Sequence, residues 1–456
     1  MHQAKKYDVI VVGGGFAGIY AAWRLVREGR KVALLESTDA IGGNLKSINW
    51  KNFSVDNGTH NLDMRTPAGQ EFYTDILGDQ LQIFEDQQWA CTVDNEWTYG
   101  FETPDFSFDT RLSHEIMEDM RNLKEGGVSD DVPTSFVDFY KKKYGEKLYS
   151  LVKGMIKKYT DSPPDEFALE SQKFMGMFSR VRLGTDSEMI ALKEASEFWN
   201  ERLAVSLNCN DKRFIGLNSN KKFGYPRFGG LMTLCNYATN RLSAYGVDVI
   251  TNCEVRAIEK SDDGLTVSTS NAEYYGSNVF WSLTDSVLCK ILKLDIDLNH
   301  YAIPVGNCFV AFETDASNIL GPDYLHDYSH KRQTFRYNKQ GVYSNQFTEY
   351  GTTFVVAEMP THPSRIKDKI STVDVIEIWA ELRSVGFVKS EATFIDSKIW
   401  GHPFVFAAPK VGWKAPYDAY INQLGQFSEK LHTIDFGYRG RLAFMRFYDE
   451  VLQSKF

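Results

Sequence analysis

The sequence predicts an α/β chain assembled on a dinucleotide-binding unit, with a mostly helical insertion in the middle and a strand-rich stretch after it. Three observations carry that prediction. A strand, a glycine cluster, a helix, a second strand and an acid follow one another between Tyr7 and Glu36. Apolar residues recur at helical spacing between Glu115 and Leu203, and β-rich segments crowd the stretch from Asn307 to Met359.

The first unit has its parts in register. Tyr7-Asp8-Val9-Ile10-Val11-Val12 is an apolar, β-branched run that ends at glycines, as a buried parallel strand does. Gly13-Gly14-Gly15-Phe16-Ala17-Gly18 fits G-x-G-x-x-G. The first glycine makes the turn, the second lets backbone amides approach a pyrophosphate, and the third lets the next helix pack close to the strand. That helix, through Ile19 to Val26, places its positive N-terminal end against phosphate and stops near Gly29. The strand Lys31-Val32-Ala33-Leu34-Leu35 then delivers Glu36 about 20 residues beyond the glycines, where an acid accepts ribose hydroxyls. Ser37 follows it, and Ile41-Gly42-Gly43-Asn44 places a second glycine pair just past the acid.

Composition narrows the class. A chain of 456 residues is too long for one ordinary core, so two or three substructures are expected. Its 43% hydrophobic and 24% charged content is that of a soluble protein, and 14% aromatic content points to large buried or ligand-facing surfaces. A net charge of −9 with no concentrated basic block gives no reason to expect nucleic acid; Lys141-Lys142-Lys143 reads as a solvated helix face. The six cysteines are scattered without a C-x-x-C pair, which argues for a reducing compartment, and a cytoplasmic location is expected. The glycine fingerprint sits inside the first apolar run, so that run is not a signal peptide, and no stretch reaches the ~18 apolar residues of a spanning helix. No Ser/His/Asp or metal-ligand set stands out. His326 and His330 lie close together without a third ligand and read as polar surface.

Further along, Phe53-Ser54-Val55-Asp56-Asn57-Gly58-Thr59-His60 reads as a strand running into a glycine turn. Helical spacing covers Glu115 to Lys124, Ser135 to Thr160 and Glu188 to Leu203, and the stripe Phe136, Phe139, Tyr140, Tyr144, Leu148, Tyr149 and Val152 reads as helix-packing core. Asp161-Ser162-Pro163-Pro164-Asp165 breaks that helix. Gly224-Tyr225-Pro226-Arg227-Phe228-Gly229-Gly230 introduces a helix from Leu231 to Leu242, followed by strands at residues 246–250, 253–258, 265–269 and 278–283. Strands are predicted at Asn307–Glu313, Gln333–Tyr337, Tyr343–Phe347 and Thr352–Met359, and a helix at Val373–Leu382.

This order resembles the FAD-binding family that includes amine oxidases, protoporphyrinogen oxidase and UDP-galactopyranose mutase. Ile41-Gly42-Gly43-Asn44 is most similar to the mutase version, and Asp56-x-Gly58-x-His60 to the oxidase version. Gly440-Arg441-Leu442-Ala443-Phe444-Met445-Arg446-Phe447-Tyr448-Asp449 resembles the mutase segment that closes over the flavin, although alanine replaces its second glycine. The resemblance implies a Rossmann-like FAD-binding domain (residues 1–80, 223–285 and 401–456), an antiparallel-sheet substrate domain (81–100 and 286–400) and a helical insertion (101–222). It implies non-covalent FAD held by Gly13, Gly15, Phe16, Ala17, Gly18, Glu36, Ser37, Gly42, Gly43, Asn44, Gly58, Thr59, His60, Val255, Gly440, Arg441, Arg446, Phe447 and Tyr448. In the mutases an arginine on a strand corresponding to Thr334-Phe335-Arg336-Tyr337 holds a diphosphate. Arg336 is therefore either a substrate-binding residue or a surface arginine, and His60 either a proton-transferring group near the ring or a structural histidine.

Three functions remain open at this point. The first is an FAD-dependent oxidoreductase that takes hydride from a small-molecule alcohol or amine, such as a sugar or nucleotide-sugar intermediate. The second is a redox-neutral sugar mutase using reduced FAD. Thr160 stands where the mutase segment carries its uracil-stacking tryptophan, and Asp63 where it carries a second histidine, so the first reading is favoured over the second. The third is a flavin-binding partner protein without turnover. With one G-x-G-x-x-G, there is no separate pyridine-nucleotide domain, so NADPH as an external reductant would visit the same pocket.

Overall fold

The computed structural model describes residues 5–58, 61–64, 66–84, 88–100, 102–125, 133–206, 223–438 and 440–456. Two seven-stranded sheets dominate it. In the first, Lys5–Val12 lies between Val32–Leu35 and Glu273–Trp281, parallel to both, and Asp248–Ile250 extends the parallel arrangement beyond Val32–Leu35. The strand Glu273–Trp281 serves two partners on its far side. Its first half pairs antiparallel with Gly264–Thr269, and its last three residues pair parallel with Leu431–Thr433. Val9 and Val11 face the cluster around Tyr20 and Trp23 of the helix Phe16–Arg27, whereas Ile10 and Val12 face Val279, Leu288 and Tyr420. Burial on both faces is why the run from Tyr7 to Val12 shows no alternation of polar and apolar residues.

The second sheet runs in the order Asp396–Pro409, Ala302–Asp315, Thr352–Thr361, Arg336–Asn338, Tyr324–Asp327, Trp89–Thr92, Trp97–Tyr99. All its pairs are antiparallel except Tyr324–Asp327 with Trp89–Thr92. One face packs Val310, Phe312, Val355 and Ala357 beneath Ile378, Trp379 and Leu382 of the helix Val375–Ser384. The other packs Phe309, Ala311, Phe354, Val356 and Trp400 against Phe53 and Val55. Those two residues belong to the hairpin Ser47–Trp50/Phe53–Asp56, which follows the glycine-pair loop directly. This contact sets the inner face of the second sheet against the end of the nucleotide-binding unit.

The helical stretch contains Thr110–Glu125, Phe136–Thr160, Asp186–Ala195 and Glu197–Asn200. Phe136, Tyr140, Tyr144, Leu148 and Val152 are buried in one cluster with Tyr149 packed against it, so most of the stripe is packing core, while Phe139 is half-buried outside that cluster. Gly145 interrupts the long helix at φ 88°, where a Cβ would stand 2.2 Å from Asp119 Oδ2. The helix expected across Glu188–Leu203 is broken at Ser196, whose backbone is extended. Lys193 Nζ then reaches the carbonyls of Asn200 and Leu203 at 2.8 and 2.9 Å, folding the chain back on itself.

Two further expectations are corrected. The strand expected at Tyr343–Phe347 is instead a short helix, Gln340–Tyr343, followed by irregular chain. Here side-chain amides replace a backbone ladder: Gln340 accepts from the Asp56 amide at 3.0 Å and Gln346 accepts from the Ser54 amide at 2.6 Å. Side-chain docking of this kind has no period, so no sequence pattern announces it. His326, expected on polar surface, is buried on the strand Tyr324–Asp327. Among the described residues, no helix is long and apolar enough to cross a membrane, and no group of three His, Cys, Asp or Glu could hold a metal ion.

Candidate functional site

The glycine loop lies at the C-terminal end of Lys5–Val12, where open α/β sheets bind ligands. Gly13 takes φ 99°, and Ser282 Oγ pins the turn by donating to the carbonyl oxygens of Val12 and Gly13. At Gly18 a Cβ would stand 1.9 Å from the Gly13 carbonyl oxygen, so only glycine lets the helix approach the turn. Gly15 differs: no atom lies within 4 Å of where its Cβ would be, and it occupies the N-cap of Phe16–Arg27 with no side-chain cap. The first amides of this helix therefore face open space, the arrangement that favours an anion.

Glu36 is buried and fully organised. Its Oε2 accepts from the Gly14 amide at 2.8 Å, and its Oε1 accepts from the Thr38 amide at 2.9 Å and the Thr38 hydroxyl at 2.7 Å. The Gly14 amide is thus committed to the acid, which leaves the amides of Gly15 and the residues after it facing the open space. Gly42 (φ 136°) and Gly43 (φ 53°) bring the second glycine loop onto the first. The Gly42 amide donates to the Gly14 carbonyl at 2.6 Å, and a Cβ on Gly43 would stand 3.1 Å from Gly15 Cα.

A cavity of about 730 Å³ runs from these loops. Gly13, Gly15, Phe16, Ala17, Glu36, Ser37, Gly42, Gly43, Asn44, Val255, Gly440 and Arg441, all expected at a cofactor site, line it. Gly18 packs behind the wall, as its close approach to Gly13 requires. Arg446, Phe447 and Tyr448 are not brought to the cavity. Arg446 is exposed, Phe447 packs on Tyr438 and Phe444, and Tyr448 is buried against Tyr20 with its hydroxyl on Glu28 at 3.3 Å. These three fall on the side of the helix Arg441–Phe447 and the turn after it that holds the chain end against Phe16–Arg27. Thr59 and His60 lie outside the described residues. Sequence reasoning missed Leu283, Thr284, Phe404 and Val405. The first two could have been found, because they follow the C-terminal end of a parallel strand; the other two come from the second sheet and carry no local signal.

Gly58 does not line that cavity but meets the inner face of the second sheet. A Cβ there would stand 3.5 Å from Glu358 Oε2, 3.6 Å from Arg336 Nη2 and 3.8 Å from Phe309. The neighbouring Asn57 accepts from the Trp400 indole at 3.0 Å, and Asn44 pairs with His402 Nε2 at 3.0 Å. Arg336 is not a surface arginine. Its Nε and Nη2 both bond Glu358, at 2.9 and 2.6 Å, and Asn338 Nδ2 bonds the same carboxylate at 3.0 Å. Glu358 is buried, so Arg336 reaches the inner face with its charge already compensated.

Asp56 ties the hairpin to the helix Met232–Ala244. It accepts from Ser47 Oγ at 2.6 Å, from the Leu231 amide at 2.9 Å and from the Tyr225 hydroxyl. Burial pushes its carboxyl up from the usual 3.8 to about 6, against the lowering effect of those hydrogen bonds and of Arg441. The folded state therefore binds this proton more tightly than the unfolded chain. Its stabilising contribution is fully present below pH 3.8 and is lost as pH rises through about 6. A shift of this size corresponds to about 3 kcal/mol. Asp56→Asn should flatten the fall in denaturant midpoint between pH 4 and pH 7; an unchanged slope would show that Asp56 does not titrate there.

Comparison with known proteins gives the same outline. Residues 11–76 match the NAD(P)-binding Rossmann-like domain family. The chain is 24% identical over 276 residues to 15-cis-phytoene desaturase of Arabidopsis thaliana, covering 58% of this chain and 45% of that one. It spans less than a third of the length of each of the first three curated relatives it matches. Among solved structures, reduced UDP-galactopyranose mutase superposes with a TM-score of 0.68 at 14% identity, covering 98% of this chain and 90% of that one. A protoporphyrinogen oxidase-like protein from Exiguobacterium sp. 255-15 superposes with a TM-score of 0.65 at 12% identity, covering 99% of each chain.

Proposed function

We propose that this chain, which carries a Rossmann-like nucleotide domain and shares the fold of the amine oxidase, protoporphyrinogen oxidase and UDP-galactopyranose mutase flavoproteins, is an FAD-dependent oxidoreductase acting on a small-molecule alcohol or amine. The observation that carries the reading is the cavity itself. It joins an organised acid, an uncapped helix N-terminus and the Gly440-Arg441 turn in one wall. In this reading Glu36 holds the ribose, Gly15 to Ala17 receive the pyrophosphate, and Gly42 to Asn44 with Arg441 follow the chain toward the ring. FAD held there would supply hydride acceptance. The second sheet, with Gly58 and the Arg336–Glu358 pair, shields the reacting side from water and orients the substrate.

Two observations weigh against uridine-diphosphate chemistry. Thr160 is buried as a helix end, with its hydroxyl on the Ile156 carbonyl at 2.8 Å. Neighbouring Tyr159 has Phe406 stacked on it at 5.5 Å, which occupies a face a base would need. The test is an anaerobic single turnover. Oxidised protein should bleach when mixed with its alcohol or amine substrate; an unchanged oxidised spectrum, with sugar ring interconversion only after dithionite reduction, would establish the mutase instead.

Glu36→Ala should weaken FAD retention about 10- to 100-fold, the loss of charge-assisted hydrogen bonds worth roughly 1.5–3 kcal/mol. Dialysis followed by flavin absorbance measures it, and unchanged retention would remove Glu36 from the site.

A further inference from the structure

One row of residues crosses six of the seven strands of the second sheet on its inner face. Cys91, His326, Arg336, Glu358, Phe309 and Trp400 are successive cross-strand partners on six adjacent strands, so their side chains share one face. The middle of the row lies under Gly58, and its Trp400 end is fixed to Asn57. Most of the row is satisfied internally, since Arg336 and Glu358 neutralise each other and Phe309 stacks on Trp400 at 4.9 Å. His326 is the exception. It is 3% exposed, the rings of Phe335 at 5.8 Å and Trp89 at 6.5 Å lie beside it, and its Nδ1 has no hydrogen-bond partner among the described residues.

A buried ring nitrogen without a protein partner is rare in a folded protein, because a polar atom kept from bulk solvent is costly unless something meets its hydrogen bond. The chain gains nothing in stability from this nitrogen, so a ligand that completes its hydrogen bond accounts for it. We propose that His326 is a substrate-positioning residue that hydrogen-bonds an uncharged hydroxyl, and that this row selects neutral, hydroxyl-bearing substrates over anions and cations. A hydroxyl suits the position because it can donate to a bare Nδ1 or accept from a protonated one. An anion is disfavoured because Glu358 closes the guanidinium fork and buries its own charge beside it. A cation is disfavoured because Arg336 stands next to His326. Burial, aided by Arg336, keeps the imidazole neutral by pushing it down to about 3, so it positions the substrate rather than removing a proton. Phe335 and Trp89 add aromatic surface around it, and Tyr159 packs behind Phe335, which suits an apolar body attached to the hydroxyl.

The inference rests on the flavin reading, and two measurements separate their failures. On flavin-loaded protein, benzyl alcohol, benzoate and benzylamine share one skeleton and differ in charge, and each is titrated by its perturbation of the flavin spectrum. The alcohol should bind at least about tenfold tighter than either ion. His326→Phe should erase about tenfold of that preference, the worth of one hydrogen bond, while His326→Gln keeps most of it. Tighter binding of an ion, a preference untouched by His326→Phe, or no perturbation by any of the three would overturn the proposal. The second measurement needs no flavin. Removing an unsatisfied buried nitrogen should leave the thermal midpoint of His326→Phe unchanged or raised, whereas a histidine holding the fold together would lower it and so overturn the positioning role. Protein that never retains FAD would defeat the flavin reading alone, and the thermal comparison would still decide the fate of His326.

Discussion

Gly15→Val is expected to give folded protein that retains no FAD. The two halves of that expectation come from different observations. Folding survives because nothing lies within 4 Å of the position a Cβ would take, and because the backbone there, φ −73° and ψ −177°, is one that valine adopts readily. Binding fails because the added methyl groups occupy the space in front of the uncapped helix amides, where the pyrophosphate has to approach within hydrogen-bond distance. Loss of several such bonds, each worth about 1.5–3 kcal/mol to a charged group, should reduce retention by at least about a thousandfold. Circular dichroism and flavin absorbance on the same preparation measure the two halves. Full flavin occupancy would show that the loop is only a turn. Gly18→Val is the contrasting variant: it would drive a side chain into the Gly13 carbonyl and should fail to fold.

That contrast shows what was legible in the sequence. The unit from Tyr7 to Glu36 could be read because each part has a local reason, whether strand period, turn glycine, helix start or acid, and the reasons fall at fixed spacing. The packing role of the helical aromatics could be read for the same cause, since burial follows the helical period. The second sheet resisted. Three of its strands, Ala302–Asp315, Arg336–Asn338 and Thr352–Thr361, were visible one by one, but Tyr324–Asp327 was not, and the row that passes through His326, Arg336 and Glu358 joins residues from three separate stretches and exists only once the register is set. His326 therefore looked like polar surface beside His330, and Arg336 like either a substrate-binding residue or a surface arginine, with no sign of its buried partner Glu358. The amide docking by Gln340 and Gln346 was invisible in the same way, because those side chains act through partners nearly three hundred residues away.

The Arg336–Glu358 pair should behave as a buried ion pair whose loss is felt chiefly as loss of its partner's compensation. Glu358→Ala leaves a guanidinium behind with 22% of its side chain exposed, and Arg336→Ala leaves a carboxylate with 2% exposed. Each single change should cost about 3–5 kcal/mol, because the surviving charge has lost its counter-ion in a place water scarcely reaches. The double variant Arg336→Met with Glu358→Leu should lie closer to the parent than either single one, since no charge is then stranded. Urea unfolding of the four proteins measures the difference. If Arg336 instead held an anionic group of the substrate, with Glu358 a minor neighbour, Arg336→Ala would be nearly neutral in stability and would bind inorganic diphosphate more weakly than the parent does. The bidentate geometry leads to the opposite expectation: the single variants are both strongly destabilised, and Glu358→Gln, which keeps the shape and removes the negative charge, gains affinity for diphosphate.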